Sequence, residues 1–361
     1  MRDWVPRVAV VGCGRIATAE HLPSLVDAAR RGLCNLVAVC DSNATRAMAT
    51  GRHFGVPGFT SLDETIDRAR PDIVTIATLP PGHRALTLRA LDAGCHVLCE
   101  KPIAMNLGEA RDMVAAATKA DRLLSICFEY RYWDEATYLR DRIAAGDFGH
   151  VHFIRTWGGG VHQLVADEAR RHRATSGGGV LTHWTIHNID LALWLLGNPE
   201  PLTASAFGCR RAGRLPAAAA SWLGEIGPAD SDVEDFAFGL IRVEGGTSIS
   251  VEANYLQAPS SRPEGWEILA DTATASISPL RVWLDRGDEW QDATPPPGTL
   301  APCEYRMNRL IEGFLDRIRH GEPAPVSGGE ILRIQGLMDA LYDSMALGRE
   351  VAINYDCSAR V

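Results

Sequence analysis

Near the amino end a short apolar run, Val8–Val11, leads straight into Gly12-Cys13-Gly14-Arg15-Ile16-Ala17, and this junction limits the fold more than any other part of the chain. A brief apolar run bounded by glycine reads as a buried strand, and the spacing behind it, to about Arg31, reads as a helix. A second apolar run, Leu36–Asp41, follows and ends in a carboxylate. Strand, glycine turn, helix and strand make a βαβ unit, with parallel strands and a right-handed crossover. Gly12 permits the tight turn, Gly14 lets a pyrophosphate approach the backbone, and Ala17 lets helix and strand pack closely. The first turn of the helix offers unpaired N–H groups and a positive dipole end to the phosphates. Asp41 is positioned to accept hydrogen bonds from ribose hydroxyls, which makes NAD the expected cofactor. A carboxylate there repels a ribose phosphate, while the nearby Arg46 leaves NADP possible.

The same rhythm continues. Ala44–His53 reads as a helix, Ile73–Ala77 as a strand, His83–Ala93 as a helix, His96–Cys99 as a strand, Leu107–Ala120 as a helix and Leu124–Cys127 as a strand. Apolar strands alternating with helices imply an α/β doubly wound parallel sheet covered on both faces. After about Phe128 the pattern changes. A helix over Ala136–Ala145 leads into alternating runs at His150–Trp157, Phe236–Val243, Thr247–Tyr255, Trp266–Ala270 and Arg281–Leu284. The turn Glu244-Gly245-Gly246 joins two of these as a hairpin, so the second half is expected to be α+β with a large, mostly antiparallel open sheet. Helices near Tyr305–His320 and Glu330–Ala346 close the chain. The expected division is a dinucleotide-binding domain over residues 1–128 and a substrate-binding and oligomerisation domain over 129–361. The stretch 209–230, rich in Gly, Pro and Arg, reads as a loop, either a lid or a surface insertion.

At 361 residues the chain can bury two cores without metal or disulfide support. Its nine cysteines are odd in number and irregularly spaced, Cys95 and Cys99 included, and no CxxC pair occurs. Free thiols in a reducing cytoplasm are expected. A net charge of −9 with interspersed signs gives no nucleic-acid footprint. No run reaches the roughly 20 apolar residues of a membrane helix, and Met1–Arg7 has no apolar run of signal-peptide length.

Glu100-Lys101-Pro102 directly follows the strand His96–Cys99, and ligands of open parallel sheets bind beyond the carboxyl ends of strands. Lys101 is therefore expected at the ligand site, in a turn stiffened by proline. Further on stands GGGVLTHWTIHNIDLALWLLG, Gly177–Gly197. With the glycine fingerprint and the Asp41-x-x-x-x-Arg46 tail, these motifs resemble the glucose–fructose oxidoreductase / inositol dehydrogenase (Gfo/Idh/MocA) family over nearly the whole chain.

The resemblance implies NAD(P)-dependent interconversion of a secondary alcohol and a ketone on a sugar, cyclitol or sugar acid. It implies a homodimer or homotetramer formed through the second domain's sheet. It assigns the catalytic lysine to Lys101 and the catalytic histidine to His187. On this expectation the cofactor meets Gly12, Gly14, Arg15, Ile16, Asp41, Arg46, Thr78, Pro80, His83, Glu100 and Lys101. The substrate meets His183, Arg131, Trp157 and His162. Some relatives use a cofactor that is not consumed to cleave glycosidic bonds, and others are non-catalytic nucleotide sensors; both alternatives stay open.

One departure stands out. Where the family has an aspartate four residues before its histidine, this chain has His183, so His183, His187 and Asp190 recur at helical spacing. Three readings compete. In one, His187 is the acid/base and His183 touches substrate. In another, His183 and His187 chelate a divalent metal, with Glu129 or His162 as further ligand candidates. In the last, both satisfy hydrogen bonds in a core helix.

Overall fold

The computed structural model describes residues 4–159, 168–211, 231–255, 264–300 and 306–355. It forms two compact units, Met1–Tyr132 with Glu304–Leu332, and Trp133–Cys303 with Arg333–Val361. The units are thus interleaved in sequence, where a single cut after residue 128 was expected.

The first unit holds six parallel strands: β1 (Arg7–Val11), β2 (Asn35–Cys40), β3 (Gly58–Phe59), β4 (Ile73–Ile76), β5 (His96–Cys99) and β6 (Leu124–Ile126). Their spatial order is β3-β2-β1-β4-β5-β6, so the chain reverses direction between β1 and β4. In a doubly wound sheet that reversal opens the ligand site, beyond the carboxyl ends of the strands. Five helices connect these strands: α1 (Leu22–Arg30), α2 (Ala44–Phe54), α3 (Leu62–Ala69), α4 (His83–Asp92) and α5 (Leu107–Ala120). Three of them, α2, α3 and α5, are capped at their starts by side chains. Asn43, Ser61 and Asn106 accept from the N–H groups of Arg46, Glu64 and Glu109, each replacing a lost intrahelical partner.

After α6 (Asp134–Ala144) and α7 (Ile186–Leu195) of the second unit, α8 (Arg306–His320) returns to the first. Its Met307, Leu310, Ile311, Phe314 and Leu315 are buried at helical spacing and join the cluster around Leu22, Leu25 and Val39. Burying five such side chains gives on the order of 10 kcal/mol of gross hydrophobic stabilisation before ordering entropy is subtracted. The next helix, α9 (Gly328–Leu347), starts in a capping box: Ser327 Oγ accepts from Glu330 N, and Glu330 Oε2 accepts from Ser327 N at 2.8 Å.

The second unit is built on nine strands, β7 (Val151–Gly158), β8 (Pro201–Cys209), β9 (Phe236–Val243), β10 (Ser248–Asn254), β11 (Gly265–Ala270), β12 (Ala273–Ile277), β13 (Arg281–Asp285), β14 (Trp290–Asp292) and β15 (Val351–Ala352). The order is β14-β13-β12-β11-β7-β10-β9-β8-β15, and all neighbours are antiparallel except β7 and β10. The β9–β10 hairpin turns at Gly245 and Gly246, both at positive φ. On one face Ala237, Ile241, Val243, Ile249 and Val251 are buried. There α9 comes so close that a Cβ on Gly239 would lie 2.9 Å from the Leu341 side chain. The other face leaves Leu202, Phe207, Phe238, Leu269, Trp283 and Trp290 exposed.

Candidate active site

The carboxyl ends of β1, β2, β4 and β5 lie along one edge of the first sheet and bring Gly12, Asp41, Thr78 and Lys101 to it. Gly12 has φ +95°, and a Cβ there would strike the carbonyl of Ala77 at the end of β4. Only glycine fits. Gly14 differs, because a Cβ on it would meet nothing within 4 Å. Protein packing does not require that glycine; the open space above it suits the close approach of a pyrophosphate. Arg15 and Ile16 are exposed beside it, and Ala17 is fully buried against the sheet. These residues fit a dinucleotide.

Asp41 is pinned from three sides. Its carboxylate accepts from Cys13 N at 2.9 Å, Asn43 N at 2.8 Å and the Arg46 guanidinium at 2.8 and 2.9 Å. Burial pushes the carboxyl up, but bonds from Arg46 and the two backbone N–H groups outweigh it and hold it below the usual range. Thr78 is half-buried and Pro80 buried at the end of β4, with Leu79 exposed between them. His83 lies fully buried, its ring nitrogens 2.8 Å from Pro102 O and 3.2 Å from Thr78 O. Burial lowers its pKa, so the neutral ring donates to one carbonyl at a time. Expected as a cofactor contact, His83 is fully buried and braces the β4 loop against the Pro102 turn.

Lys101 follows β5 in a turn with a cis bond to Pro102. Glu100 before it is buried. Its Oε1 lies 2.7 Å from His21 Nε2, and its Oε2 accepts from the backbone N–H of Lys101 at 3.1 Å. Burial pushes the Glu100 carboxyl up, but the bond from His21 and the charge of Lys101 bring it below normal. Both carboxylate oxygens face protein groups, and Glu100 supports the lysine turn. Glu129, just past β6, is pushed up to about 7 by burial and by the Glu100 charge. Among the described residues, the one cluster of metal-type ligands is His21, Glu100 and Cys127; it includes neither His183 nor His187.

In the second unit His183, His187 and Asp190 are all buried. Leu181–Thr185 forms a π-helical turn that runs into α7. A π turn inserts one residue into the helix, and His183 lies within it while His187 lies in the first turn of α7. The turn is anchored by Glu234, whose carboxylate accepts from Gly179 N at 3.0 Å, Leu181 N at 3.0 Å and Tyr342 Oη at 2.9 Å. Burial raises the pKa of both Glu234 and Tyr342. The glycine run now has a reason: a Cβ on Gly178 would strike Tyr342 Oη, and one on Gly179 would strike the carbonyl of Glu234. Negative charge at the start of a helix also complements its dipole.

Other expected substrate contacts fare differently. Arg131 is buried in an ion pair with Glu330 at 2.8 Å and donates to Pro325 O. It ties the returning segment to the rest of the first unit. Trp157 lies in β7 opposite Gly265, where a Cβ would be 2.6 Å from its ring. His162 and the stretch 212–230 lie outside the described residues. His21, Glu234 and Tyr342 were not singled out from the sequence, and Glu129 was considered only as a metal ligand. The Glu234 and Tyr342 contacts join residues 55 and 160 positions apart, which no local pattern reveals.

A six-stranded parallel sheet with a glycine turn, a pinned aspartate and a lysine on its carboxyl edge defines a nicotinamide dinucleotide-dependent oxidoreductase. Residues 6–128 match the oxidoreductase family, NAD-binding Rossmann fold (GFO_IDH_MocA), and residues 136–276 match the GFO/IDH/MocA C-terminal domain. The chain belongs to this family. D-glucoside 3-dehydrogenase of Escherichia coli (strain K12) is 28% identical over 354 residues, spanning 96% of this chain and 97% of that one. D-apiose dehydrogenase of Paraburkholderia graminis is 28% identical over 366 residues, spanning 96% and 89%. Levoglucosan dehydrogenase, solved with NADH and levoglucosan, shares the fold at a TM-score of 0.83 and 22% identity, over 97% of this chain and all of that one. No helix among the described residues is long and apolar enough to cross a membrane.

Proposed function

We propose that the chain reversibly oxidises a secondary alcohol of a sugar, cyclitol or sugar acid to the ketone, with Lys101 and His187 acting on the reacting oxygen. The observation that carries this reading is the place of Lys101, on the sheet edge that also holds the glycine turn and Asp41. NAD, held at the Gly12–Ala17 turn and Asp41, would supply the acceptor for the hydride that leaves the carbinol carbon. His187 takes the hydroxyl proton, a task suited to an imidazole at neutral pH. Lys101 donates a hydrogen bond to the same oxygen and stabilises the negative charge that grows there as the C=O bond forms.

His183 in place of the family's aspartate removes a negative charge from the helix that carries His187, and with it a repulsion toward anionic substrates. Acidic sugars such as uronates therefore belong in the substrate range, beside the glycosides suggested by the relative from Escherichia coli. Phe207 and Phe238 face each other across β8 and β9 and are 60% and 42% exposed. An apolar sheet face of this kind fits a homodimer or homotetramer. Among the described residues seven cysteines are free, which fits a cytoplasmic setting.

The test is an absorbance screen for NADH with purified protein, NAD or NADP, and a panel of sugars, cyclitols, uronates and glycosides. Turnover on one class that falls about 100-fold or more in Lys101→Met and His187→Asn variants is expected. Full turnover in either variant would overturn the assignment of that residue. Consumption of a glycoside without any net NADH would favour bond cleavage with a recycled cofactor.

A further inference from the structure

The buried pair His21–Glu100 does more than fill the core of the first unit. His21 closes a π-helical turn, Ala17–His21, directly behind the glycine fingerprint, and α1 starts at the next residue. Its side chain is fully buried, with Nε2 2.7 Å from Glu100 Oε1. The other oxygen of Glu100 accepts the backbone N–H of Lys101 at 3.1 Å. An unbroken path of hydrogen bonds therefore runs from the helix that starts at the cofactor loop to the lysine turn.

We infer that His21 is a positioning residue for Lys101, acting through Glu100, and that it makes the lysine's placement depend on the helix that receives the cofactor's phosphates. The inference rests on the role proposed above for Lys101.

Three observations carry it. A buried carboxylate is tolerated only with strong partners, and the His21 bond to Glu100, at 2.7 Å, is shorter than the one from Lys101 N at 3.1 Å. A carboxylate only accepts, so Nε2 carries the proton; Nδ1 is buried and has no hydrogen-bond partner among the described residues. Leaving a buried nitrogen unmet is unfavourable, so core satisfaction alone does not account for a histidine here. The π turn is the third observation. Such turns are rare and recur at functional sites, and this one ends on the residue that reaches the carboxylate.

The surroundings of Glu100 make the dependence sharp. The titratable groups that act on it or feel its charge are His21, Lys101, His83, Cys99, Cys127 and Glu129. Without the imidazole, Glu100 would face a second carboxyl, Glu129, and two thiols, with the Lys101 charge left to offset its own. It would then hold a proton at higher pH, and the N–H of Lys101 would lose its anionic acceptor.

The experiment compares wild type, His21→Leu, His21→Gln, Lys101→Met and the His21→Leu/Lys101→Met double variant of the full chain. The readouts are NADH affinity by fluorescence titration, kcat against KM, the pH profile of kcat, and a folding check by circular dichroism. His21→Leu is expected to lower kcat about 10- to 100-fold, as a small misplacement of a reacting group does. NADH affinity should stay within about twofold, and the acid limb of the kcat profile should move to higher pH. His21→Gln, whose amide still donates to Glu100, should recover part of the rate. In the Lys101→Met background, His21→Leu should cost almost nothing further, because the two act as a unit. Additive losses, or an unmoved acid limb, would overturn the inference. Should His21→Leu fail the folding check, His21→Gln and Glu100→Gln carry the same comparison. Full turnover in Lys101→Met alone would refute the lysine's proposed role instead, so the two failures are distinguishable.

Discussion

Arg46 closes on both carboxylate oxygens of Asp41, with Nε 2.8 Å from Oδ2 and Nη2 2.9 Å from Oδ1. Cys13 N holds the same carboxylate at 2.9 Å, so the glycine turn and the end of β2 are joined before any cofactor arrives. Arg46 is thereby engaged, although its side chain remains 52% exposed. An Asp41→Ala variant frees the guanidinium and removes the repulsion toward a ribose phosphate. Its kcat/KM with NAD should fall about 10- to 100-fold, the loss expected for one or two charge-assisted hydrogen bonds. Its ratio of NADP to NAD use should rise. An unchanged ratio would separate Asp41 from cofactor choice.

Glu129 sets a pH dependence of stability. Burial and the Glu100 charge lift its carboxyl to about 7 in the folded chain, from an ordinary value of 4.5. Below the ordinary value both folded and unfolded forms are protonated, and the group contributes nothing. As pH rises toward 7 the unfolded chain ionises first, and stability falls; above 7 the penalty is constant. Glu129→Gln removes the titration. The variant should be more stable than wild type by about 1–3 kcal/mol near pH 8, and the two should converge as pH drops toward about 5. Melting curves across that range check this, and a gap independent of pH would contradict it.

The chain's motifs were legible because they are local. The apolar run, Gly12, Gly14, Ala17 and Asp41 lie within one βαβ unit, and α5 spans Leu107–Ala120 as its periodicity predicts. β3 was missed because two residues carry no alternation, and α3 because its eight residues carry few apolar ones and its start is marked only by the Ser61 cap. Arg131 shows the harder limit. Its partner Glu330 stands 199 residues away, and only packing of the returning segment brings the two into a buried ion pair. The same holds for His183 and His187, since a π turn maintained by Glu234 and Tyr342 leaves no mark in the spacing of two histidines.

The exposed side of the second sheet makes a prediction about assembly. Phe207 and Phe238 are directly paired across β8 and β9 and open to solvent. Two rings of this size exposed together suit burial against a second copy of the chain. Light scattering should give an oligomer for wild type and a smaller species for Phe207→Glu/Phe238→Glu, with the far-UV spectrum unchanged. An equal mass for both would place any interface elsewhere.

Direct hydride transfer is the center of the account, and a ring-deuterated substrate taken from the absorbance screen tests it. After turnover with NAD, mass spectrometry of the nicotinamide should find the deuterium on the reduced cofactor, with the sugar recovered as a ketone. Deuterium retained in the product or lost to water, with no labelled NADH released, would contradict a net dehydrogenase.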